Sequence, residues 1–387
     1  MHKISLRYKI KNIEAVADRI RKAVANNERI ILYGDSDLDG ISSVVILEEA
    51  IKGLGGHIDV AFFPDRENDG YGINLNALNI LKNKAPALFI TLDLGIGNIK
   101  EVETANKMGF EVLIIDHHET LAGTPDASII IDPKQESDSY PFKGLANVGI
   151  TFKLCEEMLG KEISKSLRNS FLELTALGTI ADMVPQVDEN QKIIEEGLRS
   201  LKNTFRPALR AFLDILGEGR IFEGSLQKII SALNAAESVN YQNESYFLLT
   251  NPSLPECSEM AQRLINESQQ KQFKVKEITQ EVERRIMQKQ DAPVIFEGDP
   301  SWKLTLAGSV ASIVSQKYEK PAFIFKKMDK ESCGSVRNPK NTNSVNAMKT
   351  CADFLLIYGG HAQASGFRVK NEDLKKFEDC LKNYFKK

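Results

Sequence analysis

Tryptophan is almost missing from this chain, with Trp302 alone among 387 residues, and histidine is scarce at five. The five cysteines, Cys155, Cys257, Cys333, Cys351 and Cys380, are scattered, odd in number and without a CxxC pair. That spacing excludes a zinc-ribbon pattern, argues against a disulfide framework and fits a reducing compartment. No apolar run reaches the ~18–20 residues that a membrane span needs, and Met1-His2-Lys3-Ile4-Ser5 lacks the charged-then-apolar order of a secretory leader. These absences predict a soluble, cytoplasmic protein with no membrane partner. Positive charge is not in excess either: the net charge is −3. No global field advertises a polyanion, so nucleic-acid binding must rest on a local patch. Lys326, Lys327, Lys330, Arg337 and Lys340 form one candidate stripe, for which a solvated lysine-rich face is the plain alternative.

What is present is ordinary globular material, 42% apolar and 27% charged, with length enough for two domains. Residues 12–27 carry Ile13, Val16, Ala17, Ile20 and Val24 at helical spacing. Short apolar runs at 29–33, 58–63, 88–92, 112–115 and 128–131 read as strands, with helical patterns between most of them, one beginning near Ser42 and one over 98–108. Strands alternating with helices predict βαβ units and a largely parallel sheet. Residues ~150–290 turn mainly helical, at 150–159, 165–177, 191–203, 206–216 and a long charged stretch over 257–289. After Pro293 the pattern is mixed again: 294–296, 304–306 and 322–325 read as strands, and Gly359-Gly360-His361 as a turn. The fold class is therefore α/β. A parallel-sheet domain over 1–195 joins, through a helical connector over 196–290, a smaller mixed α/β domain over 291–387.

Chemistry concentrates at strand ends. Asp116-His117-His118 directly follows the apolar run Val112–Ile115, delivering oxygen and imidazole ligands to one rim of the sheet. Such a donor set suits Mn²⁺ or Mg²⁺ better than a thiolate site would. Gly34-Asp35-Ser36-Asp37-Leu38-Asp39-Gly40 sets three carboxylates at alternate positions after another strand. An EF-hand would need Glu at the twelfth loop position, where Ile46 stands. Asp93 closes the strand 88–92, and Asp182 sits at a helix end before Pro185. Each of these alone also reads as a turn or cap residue. Together Asp35, Asp37, Asp93, His117 and Asp182 are enough to hold two divalent cations if one carboxylate bridges.

In this order, Asp-x-Asp-x-Asp-Gly, Thr91-x-Asp93-x-Gly95-Ile96, Asp116-His117-His118 and Gly178-Thr179-x-Ala181-Asp182-x-Val184-Pro185 resemble the DHH phosphoesterase superfamily, and within it the RecJ-type single-strand exonucleases. Further matches are Arg66–Asn74, Tyr140-Pro141-Phe142, Val148–Leu154, Gly308–Ser312 with Tyr318 and Pro321, and Gly359–Phe367, the mark of a DHH-associated domain. The resemblance runs from about residue 29 to 380, and its specificity lies in the ordered set.

The resemblance implies roles by position. Asp35 and Asp37 bind two metals, Mn²⁺ or Mg²⁺, which Asp93 bridges; with them it orients the attacking water. His117 and Asp182 complete the second metal site. His118 faces the scissile phosphate and Asp116 orients the histidine pair. Ser335 and Arg337 grip a strand phosphate, with Gly359, Gly360 and His361 facing the cleft. It also implies a single-stranded nucleic acid substrate, 5′→3′ polarity, and replication or repair proteins as partners.

Three departures matter. Tyr33-Gly34 stand where some relatives place a histidine, which implies fewer ligands on the first metal. Leu233-Asn234-Ala235-Ala236-Glu237-Ser238 lacks the arginine that RecJ enzymes use near the 5′ phosphate. The sequence stops at Lys387, soon after the DHH-associated domain, like archaeal-type RecJ proteins, so strand grip is expected to be weaker unless a partner supplies it. Two other functions compete: a phosphodiesterase of short oligonucleotides or cyclic dinucleotides, and a non-catalytic replisome scaffold. The first usually carries a His-x-x-Pro-Asp-x-Asp motif that is absent here, and the intact acidic set argues against the second.

Overall fold

The computed structural model describes residues 8–119, 123–217, 223–289, 292–340, 342–360 and 362–386. It separates into two compact units, Met1–Asp65 with Tyr71–Ser268 and Arg66–Gly70 with Gln269–Lys387.

The first unit opens with α1 (Ile13–Ala25), β1 (Ile30–Gly34), α2 (Leu38–Gly53), β2 (Val60–Phe62), α3 (Leu75–Leu81), β3 (Ala87–Leu92), α4 (Ile99–Lys107), β4 (Phe110–Ile115) and β5 (Ile129–Ile131). The strands form a parallel sheet in the order β2-β1-β3-β4-β5. Side chains alternate faces along each strand. Ile30 and Leu32, Leu88, Ile90 and Leu92, and Leu113 and Ile115 therefore enter one core. Ile31 and Tyr33, Ala87 and Phe89, and Val112 and Ile114 enter the other. Burial on both faces explains why these strands read as continuous apolar runs.

Next come α5 (Asn147–Leu159), α6 (Lys165–Ala181), α7 (Asp188–Leu201), α8 (Pro207–Leu216), α9 (Glu223–Leu233), the short pair β6 (Ser238–Val239) and β7 (Gln242–Asn243), α10 (Glu244–Thr250) and α11 (Leu254–Met287). Leu209, Phe212, Ile229, Leu248 and Leu264 from this helical region join the first core. α2 begins at Leu38, four residues ahead of the expected Ser42. Asp37 caps it, accepting from the N–H groups of Asp39 and Gly40 at 3.1 and 3.2 Å.

The second unit holds β8 (Ile295–Asp299), α12 (Leu304–Tyr318), β9 (Ala322–Lys327), β10 (Glu331–Arg337), α13 (Ser344–Thr350), β11 (Leu355–Gly360), β12 (Ala364–Lys370) and α14 (Leu374–Phe385). Its sheet runs β11-β12-β10-β9-β8, parallel between β8 and β9 and antiparallel elsewhere. Phe296, Phe323, Phe325, Phe367 and Phe377 fill one face.

Three expectations are corrected here. Residues 304–306 start a helix, not a strand, because Ala307, Val310, Ala311 and Val314 recur at helical spacing and bury together; three residues were too few to show that period. Gly359 and Gly360 end strand β11, paired with Gly366 and Ser365, rather than making a turn. The scattered cysteines do include a bonded pair: Cys351 and Cys380 form a disulfide across 29 positions, tying the end of α13 to α14. Spacing alone hid it, because partners are set by packing. Among the described residues no helix is long and apolar enough to cross a membrane.

Candidate metal centre

The strand order places a topological switch between β1 and β3, where crossovers leave in opposite directions and open a crevice at the carboxyl ends. Asp35 follows β1, Asp93 follows β3 and Asp116-His117-His118 follow β4. Backbone bonds extend the ladder beyond the strands: the N–H of Asp35 donates to Leu92 O, Asp93 to Ile115 O and Asp116 to Ile131 O, each at 3.0 Å. The rim is therefore held as firmly as the sheet. Gly40 lets the start of α2 approach Asp35; a Cβ there would lie 2.5 Å from the Asp35 carbonyl oxygen. Asp182 arrives from the C-cap of α6.

His117 is the hub. Its Nδ1 lies 3.0 Å from the carbonyl oxygen of Leu145, which can only accept, so Nδ1 carries the proton. Nε2 faces Asp93 Oδ1 at 3.2 Å, Asp182 Oδ2 at 3.7 Å and Asp39 Oδ2 at 3.8 Å. With Nδ1 taken by Leu145, Nε2 is buried, makes no hydrogen bond among the described residues and faces three acidic side chains, an arrangement that a shared cation suits. Asp93 Oδ1 and Asp182 Oδ2 are buried and, among the described residues, accept no hydrogen bond. Among the described residues, three groups bring ligand atoms within 4.8 Å of one another: Asp35, Asp37 and Asp93; Asp39, His117 and Asp182; and Asp93, His117 and His118. Asp93 and His117 each belong to two groups. Carboxylate oxygens and imidazole nitrogens without thiolate fit a hard or borderline divalent cation.

The electrostatics agree. Burial, followed by the charges of Asp39, Asp37, Asp35 and Asp182, pushes the Asp93 carboxyl well above the usual carboxylate range. Burial and then Asp39 and Asp37 do the same to Asp182. Asp39 is pushed up to about 7 by burial and by Asp37, against the pull of two backbone N–H groups. Asp116 goes the other way: burial opposes its ionisation, yet His118 and the N–H groups of Ile96 and His117 hold it low. Burial lowers His118, and its charge contact and hydrogen bond with Asp116 more than offset that, so it ends above the ordinary value. Asp116 Oδ1 takes the His118 ring Nδ1 at 2.7 Å and the backbone N–H of His117 at 2.7 Å.

Asp35, Asp37, Asp93, Asp116, His117, His118 and Asp182 thus converge at one sheet end. Three further participants were not in the expected set. Asp39 is buried, and its two oxygens accept from the N–H groups of Asn147 and Val148 at 2.9 and 2.7 Å, capping α5. Its place in the Asp-x-Asp-x-Asp run was the available signal. Asp132 follows β5 as Asp35, Asp93 and Asp116 follow their strands; burial and then Asp116 push it up to about 7. Tyr71 reaches Asp93 and His118 through its hydroxyl.

In the second unit, Ser335 and Arg337 lie two apart on β10 and share a face. Gly308, on α12, faces both: a Cβ there would stand 3.1 Å from the Arg337 guanidinium and 3.6 Å from Ser335 Oγ. Gly359 and Gly360 end β11, and His361 lies outside the described residues.

Residues 29–179 match the DHH family, N-terminal domain, and residues 291–387 the DHHA1 domain. With these domains in this order, the chain belongs to the DHH superfamily. Within it the chain is RecJ-like. It is 33% identical over 375 residues to the single-stranded-DNA-specific exonuclease RecJ of Bacillus subtilis, covering 95% of this chain and 47% of that protein. To the RecJ of Thermus thermophilus it is 27% identical over 378 residues, covering 97% and 54%. The chain thus spans about half the length of these curated relatives. Its fold is shared with a crystal structure of exonuclease RecJ bound to manganese, at a TM-score of 0.78 and 24% identity, covering 98% of this chain and 95% of that one.

Proposed function

We propose that this chain is a metal-dependent exonuclease that hydrolyses phosphodiester bonds of single-stranded DNA or RNA from the 5′ end. The observation that carries the reading is the convergence of His117 Nε2 on the carboxyl groups of Asp39, Asp93 and Asp182, with Nε2, Asp93 Oδ1 and Asp182 Oδ2 all buried and without a hydrogen bond among the described residues. The RecJ relatives support it, as does the manganese named with the RecJ crystal structure.

On this reading Asp35, Asp37, Asp93, His117 and Asp182 hold two Mn²⁺ or Mg²⁺ ions, with Asp93 shared. Two such ions, when bound, activate a water and stabilise the leaving oxygen. His118, fixed by Asp116, steadies charge developing on the phosphate. Ser335 and Arg337 grip a strand phosphate, the Arg337 guanidinium as a planar fork suited to bidentate contact, and Gly359, Gly360 and His361 complete the substrate-binding set. Residues 1–195 supply catalysis, 196–290 connect, and 291–387 bind substrate. The setting is cytoplasmic, alongside replication or repair proteins.

The test is digestion of end-labelled DNA and RNA strands, from about 3 to about 40 nucleotides, with Mn²⁺ or EDTA, beside Asp93→Ala. Degradation of long strands from a phosphorylated 5′ end, lost in EDTA and in the folded variant, is the expected result. Activity confined to the shortest strands makes the chain an oligonucleotide phosphodiesterase instead. Inertness with every metal makes it a scaffold.

A further inference from the structure

We infer that Tyr71 is a positioning residue of the hydrolytic centre, locking the His118 ring and the Asp93 main chain to each other through one hydroxyl. This rests on the hydrolase reading. The Tyr71 hydroxyl lies 3.0 Å from the Asp93 carbonyl oxygen and 3.1 and 3.3 Å from the two ring nitrogens of His118. The carbonyl can only accept, so the single phenol proton goes there. Toward the imidazole the phenol oxygen offers lone pairs; because Nδ1 already pairs with Asp116 Oδ1 at 2.7 Å, the contact is shared across both ring nitrogens rather than made in line with one. The rings meet edge to face, with centroids 5.5 Å apart at 66°. The chain Asp116–His118–Tyr71–Asp93 therefore joins the ends of β3 and β4 by side chains as well as by the sheet.

Asp93 is where such a tie matters. Its φ is 65°, in the left-handed region that few residues other than glycine, Asn and Asp enter. That conformation turns its carboxylate toward His117, at 3.2 Å, while its carbonyl turns toward Tyr71. Releasing the carbonyl frees the peptide that sets the carboxylate's direction. Tyr71 is itself anchored from behind. Gly72 follows at φ 91°, where a Cβ would stand 2.6 Å from Asn98 Oδ1, and Asn98 takes the Ile73 N–H at 3.1 Å. Tyr71 as a whole remains 54% exposed. Nothing about core packing calls for an aromatic at this place, whereas the three polar contacts do.

Tyr71→Phe removes the hydroxyl and keeps the ring. With Mn²⁺ and end-labelled single strands, kcat is expected to fall about tenfold or more, the worth of one uncompensated hydrogen bond, while KM and Mn²⁺ affinity by calorimetry change by less than about twofold. In the metal-free protein, the ¹⁵N resonances of the His118 ring should shift in Tyr71→Phe relative to wild type, with other ring signals in place. A kcat retained within about twofold overturns the inference, as does a loss expressed only in KM or His118 resonances that do not move. If the wild type does not hydrolyse any strand, the exonuclease reading fails, and the ring resonances alone decide whether Tyr71 positions His118.

Discussion

Removing divalent cations should destabilise the first unit, and more so at alkaline than at acidic pH. The reason is the crowd of carboxylates under His117. In the folded chain the Asp39 carboxyl titrates near 7, pushed up by burial and Asp37, against an ordinary value of 3.8. Below about pH 4 the group is protonated in folded and unfolded chains alike, and nothing is lost. Between about 4 and 7 the folded chain keeps a proton that the unfolded chain has released, so stability falls as pH rises through that window. Above about 7 the whole difference remains: about three pH units, or about 4 kcal/mol from Asp39 alone. Asp93 and Asp182 are displaced in the same direction. A cation among these groups reverses the cost. At a concentration about a hundredfold above its Kd it adds about 2.7 kcal/mol, or about 5–10 °C in Tm for a unit of this size. Near pH 5 the cation must first displace the Asp39 proton, at about 3 kcal/mol, and most of the gain disappears. Scanning calorimetry in Mn²⁺ and in EDTA, at about pH 5 and about pH 8, measures this directly. Equal Mn²⁺ shifts at both pH values, or none at either, would refute the reasoning.

His118→Ala should leave Mn²⁺ affinity within about threefold and lower kcat by about a hundredfold, the usual cost of removing a charge-stabilising donor; calorimetry with steady-state kinetics checks both halves. Cys351→Ser should destabilise the second unit by about 3–4 kcal/mol, because the bond closes a loop spanning 29 positions. Dithiothreitol should reproduce that loss in the wild type and have no effect on the variant, read as the unit's melting temperature under oxidising and reducing conditions.

The parallel sheet was legible because strands buried on both faces carry uninterrupted apolar runs, as Ile30–Tyr33 and Val112–Ile115 do. The convergence of Asp35, Asp93 and Asp116-His117-His118 was legible because they stand immediately after those runs, whereas Asp182 comes from the end of a helix. The missed features share a different origin. Asp39 reads as one more acid in an acidic loop until α5 packs its first N–H groups onto it. Tyr71 sits far from any strand end, and only the folded chain brings it to His118. Leu304–Leu306 resembled a strand because a three-residue window holds neither period. The Cys351–Cys380 bond depends on how α13 and α14 pack, which spacing does not encode. Local pattern fixes elements and their ends, whereas contacts between distant elements set the finer chemistry.

The central claim is that Asp35, Asp37, Asp93, His117 and Asp182 share a pair of divalent cations. Anomalous diffraction from crystals of the chain grown with Mn²⁺ tests it most directly. The account predicts two manganese peaks, about 3.5–4 Å apart, with the Asp93 carboxylate between them and His117 Nε2 on one. Well-ordered carboxylates with no peak among them, or manganese bound only elsewhere, would contradict it.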